Sequence, residues 1–191
     1  MARIFIAIDA PPEVREELVR LQGILGRRLG DSVRLTTPSN LHGTLIFLGE
    51  IDEIALESTR RIVRELAPAP AAPLTLGPAG VFPERGPVSV VWVGLIDREG
   101  RLGSLVSTLR RHLEVSGFTP ENRAFIPHLT VARCRREGGR EAEERIREVT
   151  GALAPRPIRF AVTAVTLYRS EGSPAGSRYT PLEVVPLGAV G

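Results

Sequence analysis

The sequence contains no lysine: all 25 of its cationic side chains are arginine, set against 22 aspartates and glutamates. Because lysine is the group that titrates just above pH 10, few groups here can neutralise the net charge of +3, and the pI of 9.9 overstates how basic the chain is. Arginine makes forked hydrogen bonds to phosphate. The composition therefore indicates a weakly positive protein whose cations suit phosphate ligands.

Cysteines and long apolar runs are also scarce. The single cysteine, Cys134, excludes an internal disulfide and a cysteine-based zinc site. The longest apolar stretch, residues 88–96, is far too short to cross a bilayer. The apolar run near the N-terminus ends at Asp9, too early for the core of a signal peptide. With 42% apolar and 25% charged residues, we expect a soluble, cytoplasmic globular protein without membrane association.

Apolar patterning alternates between strand and helix along the chain. Short apolar runs predict strands over residues 3–8, 41–48, 74–82, 88–96, 126–133, 158–167 and 179–185. Apolar residues at helical spacing predict helices after Pro11-Pro12 and over residues 54–66, 102–113 and 141–149. The order predicts an α+β fold in which residues 1–191 form one domain of two pseudo-symmetric lobes, each an antiparallel sheet backed by helices.

A repeated pattern marks two of the three histidines. His42 is followed by Gly-Thr-Leu and His128 by Leu-Thr-Val, so each histidine has a threonine two positions later. Both motifs fall in predicted strands, where residues i and i+2 point to the same face. Each strand would present an imidazole and a hydroxyl side by side, with Leu45 or Val131 anchored in the core. Two such strands, one from each lobe, would form a cleft.

This set of groups suits phosphoryl chemistry without a metal. Imidazole has a pKa near neutrality, so one histidine can accept a proton while the other donates one. Two histidines on opposite sides of a phosphorus atom fit an in-line displacement. The hydroxyls of Thr44 and Thr130 can donate hydrogen bonds to the oxygens on which charge develops.

The remaining candidates have simpler interpretations. His112 lies near the predicted C-terminus of a helix, where a surface histidine is favoured by the helix dipole. Cys134 has no activating partner in the sequence and is expected to pack as a small apolar residue. No second histidine or carboxylate stands at a familiar metal-ligand spacing from either His-x-Thr motif.

At these residues the sequence resembles the 2H phosphoesterase superfamily, and more closely the bacterial and archaeal RNA 2′,3′-cyclic phosphodiesterases, also called 2′-5′ RNA ligases. The resemblance spans nearly the whole chain and rests on four segments. They are Arg3-Ile4-Phe5-Ile6-Ala7-Ile8-Asp9, the first motif from Asn40 to Glu50, the second motif from Phe125 to Arg133, and Leu167-Tyr168-Arg169-Ser170 with Tyr179.

The resemblance implies a bilobal fold with a central cleft and hydrolysis of 2′,3′-cyclic phosphate to a 2′-phosphomonoester, with no metal, ATP or other cofactor. It implies that His42 is the proton donor and His128 the proton acceptor. It further implies that Thr44, Thr130 and Arg133 bind the phosphate. The partners would be RNA termini or small cyclic nucleotides, bound by a monomer.

At two residues the family's pattern does not carry over directly to this sequence. Gly43 replaces the larger apolar residue that is usual between the histidine and the threonine, and glycine allows a close backbone approach. Arg133 lies five positions after His128, so in a regular strand it would point away from the histidine. We expect it to reach the phosphate only if the strand bends or ends before it, or through water.

Three other functions remain open at this point. The same chemistry in reverse would make an ATP-independent 2′-5′ RNA ligase. A protein that binds RNA ends without turnover could use the same cleft, and a metal-dependent phosphodiesterase would lose activity with a chelator. The charge pattern favours a phosphate ligand near the second motif. The net charge of +3 arises within residues 121–136, where Arg123, Arg133, Arg135 and Arg136 face only Glu121.

Overall fold

The computed structural model describes residues 2–66, 69–120, 124–135, 139–173 and 176–188, which form nine strands and four helices. The strands are β1 (Ala2–Asp9), β2 (Val33–Leu35), β3 (His42–Ile51), β4 (Ala72–Phe82), β5 (Val90–Ile96), β6 (His128–Cys134), β7 (Arg159–Val162), β8 (Ala164–Ser173) and β9 (Gly176–Pro186). The helices are α1 (Pro12–Leu29), α2 (Glu53–Arg64), α3 (Arg101–Val115) and α4 (Gly139–Gly151).

The strands form two antiparallel sheets. The first has the order β3-β1-β8-β9 and joins the two ends of the chain, while the second has the order β2-β6-β5-β4-β7. Each sheet therefore contains one of the two His-x-Thr strands, β3 in the first and β6 in the second. The predicted α+β class with two antiparallel sheets and helices is confirmed.

Helices from one half of the sequence contact strands from the other half. Helix α1 packs on β6 and against α4, beside the second sheet, whereas α2 and α3 pack together and contact strands of the first sheet. The apolar stripe expected for α1 is buried: Val14, Leu18, Leu21 and Leu25 are all inaccessible to solvent. Strands β3 and β6, which carry the two histidines, also contact each other. No helix in the described part of the chain is long and apolar enough to span a membrane.

Two details of the strand prediction were wrong. The apolar run at 158–167 is not one strand: the chain leaves the second sheet after β7 and enters the first sheet at β8, with a break at Thr163. Both strands bury apolar residues, so the run shows no interruption in its hydrophobic pattern. Strand β2 was not predicted, because three residues are too few to show a period of two.

Candidate active site

The two His-x-Thr strands meet at their first residues. Gly43 lies where β3 approaches β6: a Cβ built on it would lie 3.4 Å from the carbonyl oxygen of His128 and 3.1 Å from the side chain of Ile8. A side chain at this position would be crowded most by Ile8, and the backbone of the other histidine motif lies at ordinary contact distance. Leu45, Leu129 and Val131 are buried on the core side of these strands, as their positions predicted.

The two imidazoles are held in the same way. His42 Nδ1 lies 2.7 Å from the carbonyl oxygen of Asn40, and His128 Nδ1 lies 2.7 Å from that of Ile126. A carbonyl oxygen can only accept, so each Nδ1 carries a proton and each neutral ring has its lone pair on Nε2. This arrangement leaves the two Nε2 atoms available for proton transfer.

The threonines lie beside these rings in the cleft. The Thr44 hydroxyl is 3.1 Å from His42 Nε2 and can donate to it when the imidazole is neutral. Thr44, Thr130, Arg133 and His42 line one cavity of about 270 Å³, and Thr44 and His128 line a second, more apolar cavity of about 520 Å³. Thr44 therefore lies at the junction of a polar and an apolar arm of the cleft.

Aromatic rings orient both histidines. In the first sheet, the His42 ring centroid lies 5.0 Å from that of Phe5 and 5.1 Å from that of Tyr179. In the second sheet, the His128 ring centroid lies 5.0 Å from that of Phe82 in an edge-on contact. These contacts bury most of each imidazole and fix its plane.

Burial dominates the acidity of both rings. Removal of water disfavours the imidazolium and lowers the pKa of His42, opposed by its bond to the Asn40 carbonyl and by the negative charge of Asp9. The positive charges of Arg133 and His128 lower the pKa of His42 further. Burial also lowers the pKa of His128, opposed by the Ile126 carbonyl. Both histidines therefore favour the neutral form more than a free imidazole does.

A β-bulge brings Arg133 into the cleft. Trp92 of β5 pairs with Thr130, but the next residue back, Val91, pairs with Ala132, so Val131 is an extra residue in β6. The bulge places Val131 and Ala132 both in the core and reverses the parity of the strand after them. Arg133 consequently lines the same cavity as His42 and Thr130. The strand irregularity that Arg133 required is present.

Buried polar contacts support this bulge. The Val131 carbonyl accepts hydrogen bonds from the Thr36 amide at 2.9 Å and from Gln22 Nε2 at 2.8 Å. Gln22 is 4% exposed and its amide also donates to the Thr36 carbonyl at 2.6 Å. The Gln22 side chain on α1 thus donates to the Val131 carbonyl, which would otherwise lack one of its hydrogen-bond partners in the irregular strand.

A matching bulge occurs in β3. Ala7 of β1 pairs with Thr44 but Ile6 pairs with Ile46, so Leu45 is the extra residue. Five positions after the histidine, β3 therefore carries Phe47 toward the cleft, where β6 carries Arg133. Phe47 is 42% exposed. The two strands therefore share the His-x-Thr motif and the bulge after it, and they differ in the residue that lies five positions after the histidine.

The sequence did not single out Asp9 as a functional residue. It lies directly across from His42 in the pairing of β1 with β3. Its carboxylate accepts hydrogen bonds from the Tyr168 hydroxyl at 2.6 Å and the Thr166 hydroxyl at 2.9 Å. Burial and the adjacent Asp9 carboxylate raise the pKa of Tyr168. The only available signal was the polar end of an apolar strand, which does not reveal a cross-strand partner.

The other candidates lie away from the cleft. His112 is on α3, where its Nδ1 is 3.7 Å from the carboxylate of Glu65. Cys134 ends β6, and burial raises the pKa of its thiol to about 11, which keeps it unreactive. Across the ranges that the structure describes, no three histidine, cysteine or acidic side chains cluster as metal ligands. Of the charged residues in 121–136, Glu121, Arg123 and Arg136 lie outside the described residues.

Two antiparallel sheets with an inward-facing His-x-Thr strand in each define the class of fold, that of the 2H phosphoesterases. The solved structures agree. A protein of Thermus thermophilus matches with a TM-score of 0.78 and 28% identity, covering 97% of each chain. Escherichia coli LigT complexed with 3′-AMP matches with a TM-score of 0.74 and 30% identity, covering 97% of this chain and 98% of LigT.

The family follows from the sequence. The model of the 2′-5′ RNA ligase superfamily matches residues 10–174, and the chain belongs to this family. A relative from Methanothermobacter thermautotrophicus, named RNA 2′,3′-cyclic phosphodiesterase, is 34% identical. The match covers 97% of this chain and 98% of the relative. A relative of the same name from Escherichia coli is 33% identical, with 95% of this chain and 94% of the relative covered. The resemblance found in the motifs is confirmed.

Proposed function

We propose that this protein hydrolyses the 2′,3′-cyclic phosphate of RNA ends or nucleosides to a 2′-phosphomonoester, with its two cleft histidines as acid and base and without a metal. The observation on which this proposal rests is the matched geometry of the two His-x-Thr motifs. Each has an imidazole whose Nδ1 donates to a carbonyl two residues earlier, and Thr44 and Thr130 line one cavity. The relatives named as RNA 2′,3′-cyclic phosphodiesterases support the same substrate class.

The proposed reaction is an in-line displacement at phosphorus. His128 Nε2 removes a proton from a water molecule as the water oxygen attacks phosphorus. The bond from phosphorus to O3′ breaks, and His42 Nε2 donates its proton to that oxygen, which leaves as the 3′-hydroxyl. Thr44, Thr130 and Arg133 stabilise the charge on the non-bridging oxygens. One proton enters and one leaves, so both histidines exchange their protonation states during each turnover.

Unequal surroundings support this assignment of the acid and the base. The residue across from His42 in the sheet is Asp9, whose negative charge favours the imidazolium. The residue across from His128 is Gly94, which supplies no charge. A proton donor must be charged before the reaction and a base must be neutral. Burial lowers the pKa of both rings, so the Asp9 charge, which raises the pKa of His42 and has no counterpart opposite His128, is what supports His42 as the donor and His128 as the base.

The direct test uses adenosine 2′,3′-cyclic phosphate with excess chelator. Chromatography against 2′-AMP and 3′-AMP standards identifies the product. We expect 2′-AMP, a bell-shaped dependence of kcat/KM on pH, and loss of activity in His42→Ala and in His128→Ala. His112→Ala is the matched control, because it removes the third histidine far from the cleft and should keep the wild-type rate.

The same experiment distinguishes the alternatives. Formation of 3′-AMP would reverse the proposed roles of O2′ and O3′. Loss of activity with chelator would indicate a metal-dependent enzyme, and binding without turnover would indicate an RNA-end-binding protein. A 2′-5′ ligase would replace water by the 5′-hydroxyl of a second RNA, so joined product from two RNA fragments without ATP would add that reaction to the hydrolysis.

A further inference from the structure

The polar arm of the cleft carries more positive charge than one cyclic phosphate needs. Arg3, Arg34 and Arg133 all line its cavity of about 270 Å³, and they come from three different strands. Among the described residues that line it, none is acidic. A cyclic phosphodiester has one negative charge, and Arg133 is the arginine that follows the second motif. Arg3 and Arg34 therefore add positive charge to the cavity beyond that of Arg133.

Arg3 lies beyond the histidine along the first sheet. It is on the same face of β1 as Phe5, whose ring contacts that of His42. Two residues of strand separate their backbones by about 7 Å. The Arg3 guanidinium carbon lies 6.0 Å from the centre of the Phe47 ring, which favours a fixed position over that ring. Glu50, its cross-strand neighbour, does not line this cavity.

Arg34 lies opposite Arg133. The two are direct partners in the pairing of β2 with β6, so two positive charges stand side by side at this edge of the cavity, where a bound anion would reduce their repulsion. Gly176, at the start of β9, has a φ of +132°, and a Cβ at that position would overlap the Arg34 guanidinium. The glycine therefore allows Arg34 to extend from the second sheet to the edge of the first, across the polar arm.

The wall between these arginines offers neutral hydrogen-bonding groups. Ser170 is the partner of Arg3 in the pairing of β1 with β8, and Ser177 is two residues from Tyr179 on β9; both serines line the cavity. Asn40 Nδ2 donates to the Ser177 carbonyl at 2.7 Å, which ties the loop before His42 to this wall. Arginine and hydroxyl groups without carboxylates are the groups that bind phosphate oxygens.

We propose that Arg3 and Arg34 form a second phosphate subsite, which binds the phosphodiester on the 5′ side of the nucleotide that carries the cyclic phosphate. This inference rests on the proposed function, and it narrows the substrate class. The preferred substrate is an RNA chain end of two or more nucleotides, and a nucleoside 2′,3′-cyclic phosphate is a poorer substrate because it lacks the second phosphate.

The test compares three substrates: adenosine 2′,3′-cyclic phosphate, the dinucleotide ApA with a 2′,3′-cyclic phosphate, and the same dinucleotide with a neutral methylphosphonate linkage. For wild-type protein we expect kcat/KM to be about tenfold or more higher for the charged dinucleotide than for the nucleoside. The methylphosphonate should lose this advantage. The rate with the charged dinucleotide should also fall more steeply with added salt.

The variants Arg3→Gln and Arg34→Gln should each reduce the ratio of kcat/KM between the charged dinucleotide and the nucleoside, and the double variant should bring it close to one. Arg98→Gln is the matched control, because Arg98 is exposed in the turn before α3. Thermal unfolding of each variant checks that Arg34 does not act only by holding β9.

Two results would overturn the subsite. One is a wild-type ratio close to one. The other is a full advantage for the methylphosphonate dinucleotide, which would assign the gain to the second nucleoside instead of the phosphate. Absence of hydrolysis with all three compounds would instead overturn the proposed function itself.

Discussion

Replacing Asp9 by asparagine removes the negative charge that faces His42 and tests which histidine donates the proton. Opposite side chains in an antiparallel pair bring their charged ends to about 6 Å. Asp9 is exposed, so an effective dielectric constant of about 40, between protein surface and bulk water, is appropriate, and the interaction is about 1.4 kcal/mol. At a pH above the pKa of His42, the imidazolium fraction should therefore fall about tenfold in Asp9→Asn.

The assay is an NMR titration of the imidazole protons, which is simple because the chain has three histidines. We expect Asp9→Asn to lower the pKa of His42 and to leave that of His128 in place. The value of kcat/KM near neutral pH should fall with the imidazolium fraction. The difference should shrink in 1 M salt, where the screening length is about 3 Å.

Tyr168→Phe is the matched control, because it removes one hydrogen bond to Asp9 and keeps the carboxylate charge. It should move the titration of His42 far less than Asp9→Asn. Equal effects of the two variants would show that Asp9 acts by holding the strands and not by its charge. An unchanged pKa of His42 in Asp9→Asn, or an equal change at His128, would refute the reasoning on which the assignment of the acid depends.

Three further substitutions test other parts of the structure. Arg133→Gln should lower kcat/KM for the cyclic nucleotide about a hundredfold, with exposed Arg135→Gln as control, and equal rates would remove Arg133 from the phosphate site. Gln22→Leu should cost about 2 kcal/mol in chemical unfolding, because the carbonyls of Thr36 and of Val131 in the bulge both lose their side-chain donor; no loss would show that the bulge needs no support. Glu17→Ala should cost about 2 kcal/mol, since the carboxylate that accepts from Arg20 and the Arg156 amide is lost, with exposed Glu16→Ala as a control expected to be neutral. Arg20 lowers the pKa of Glu17, so the stabilisation it supplies should be present at neutral pH and lost on acidification through that pKa.

The local parts of the site could be predicted from the sequence. A threonine two residues after a histidine shares its face in any strand, so the pairing of His42 with Thr44 follows from strand geometry alone. The burial of Leu129 on the other face follows for the same reason. The aromatic and arginine neighbours could not be predicted in this way, because they come from strands distant in sequence.

The orientation of Arg133 could not be predicted from the strand pattern. Its parity depends on the bulge at Val131, and that bulge depends on the register with β5 and on Gln22 of a helix more than one hundred residues earlier. Arg34 lies on a strand of three residues, which has no pattern of its own. Asp9 gains its importance from the pairing of β1 with β3, which a single sequence does not specify.

The two histidine strands are alike in backbone and unlike in charge, and this difference is what the proposed chemistry requires. Both have the same carbonyl contact at Nδ1 and a bulge at the same position after the histidine. A fully symmetric cleft would give two imidazoles of equal basicity and no preferred direction of proton transfer. Asp9 lies across from one ring and Gly94 across from the other, which breaks that symmetry. The residue five positions after the histidine also differs, because it is Phe47 in β3 and Arg133 in β6. In the proposed reaction, the repeated backbone positions the acid and the base, and the residues that differ decide which histidine takes which role.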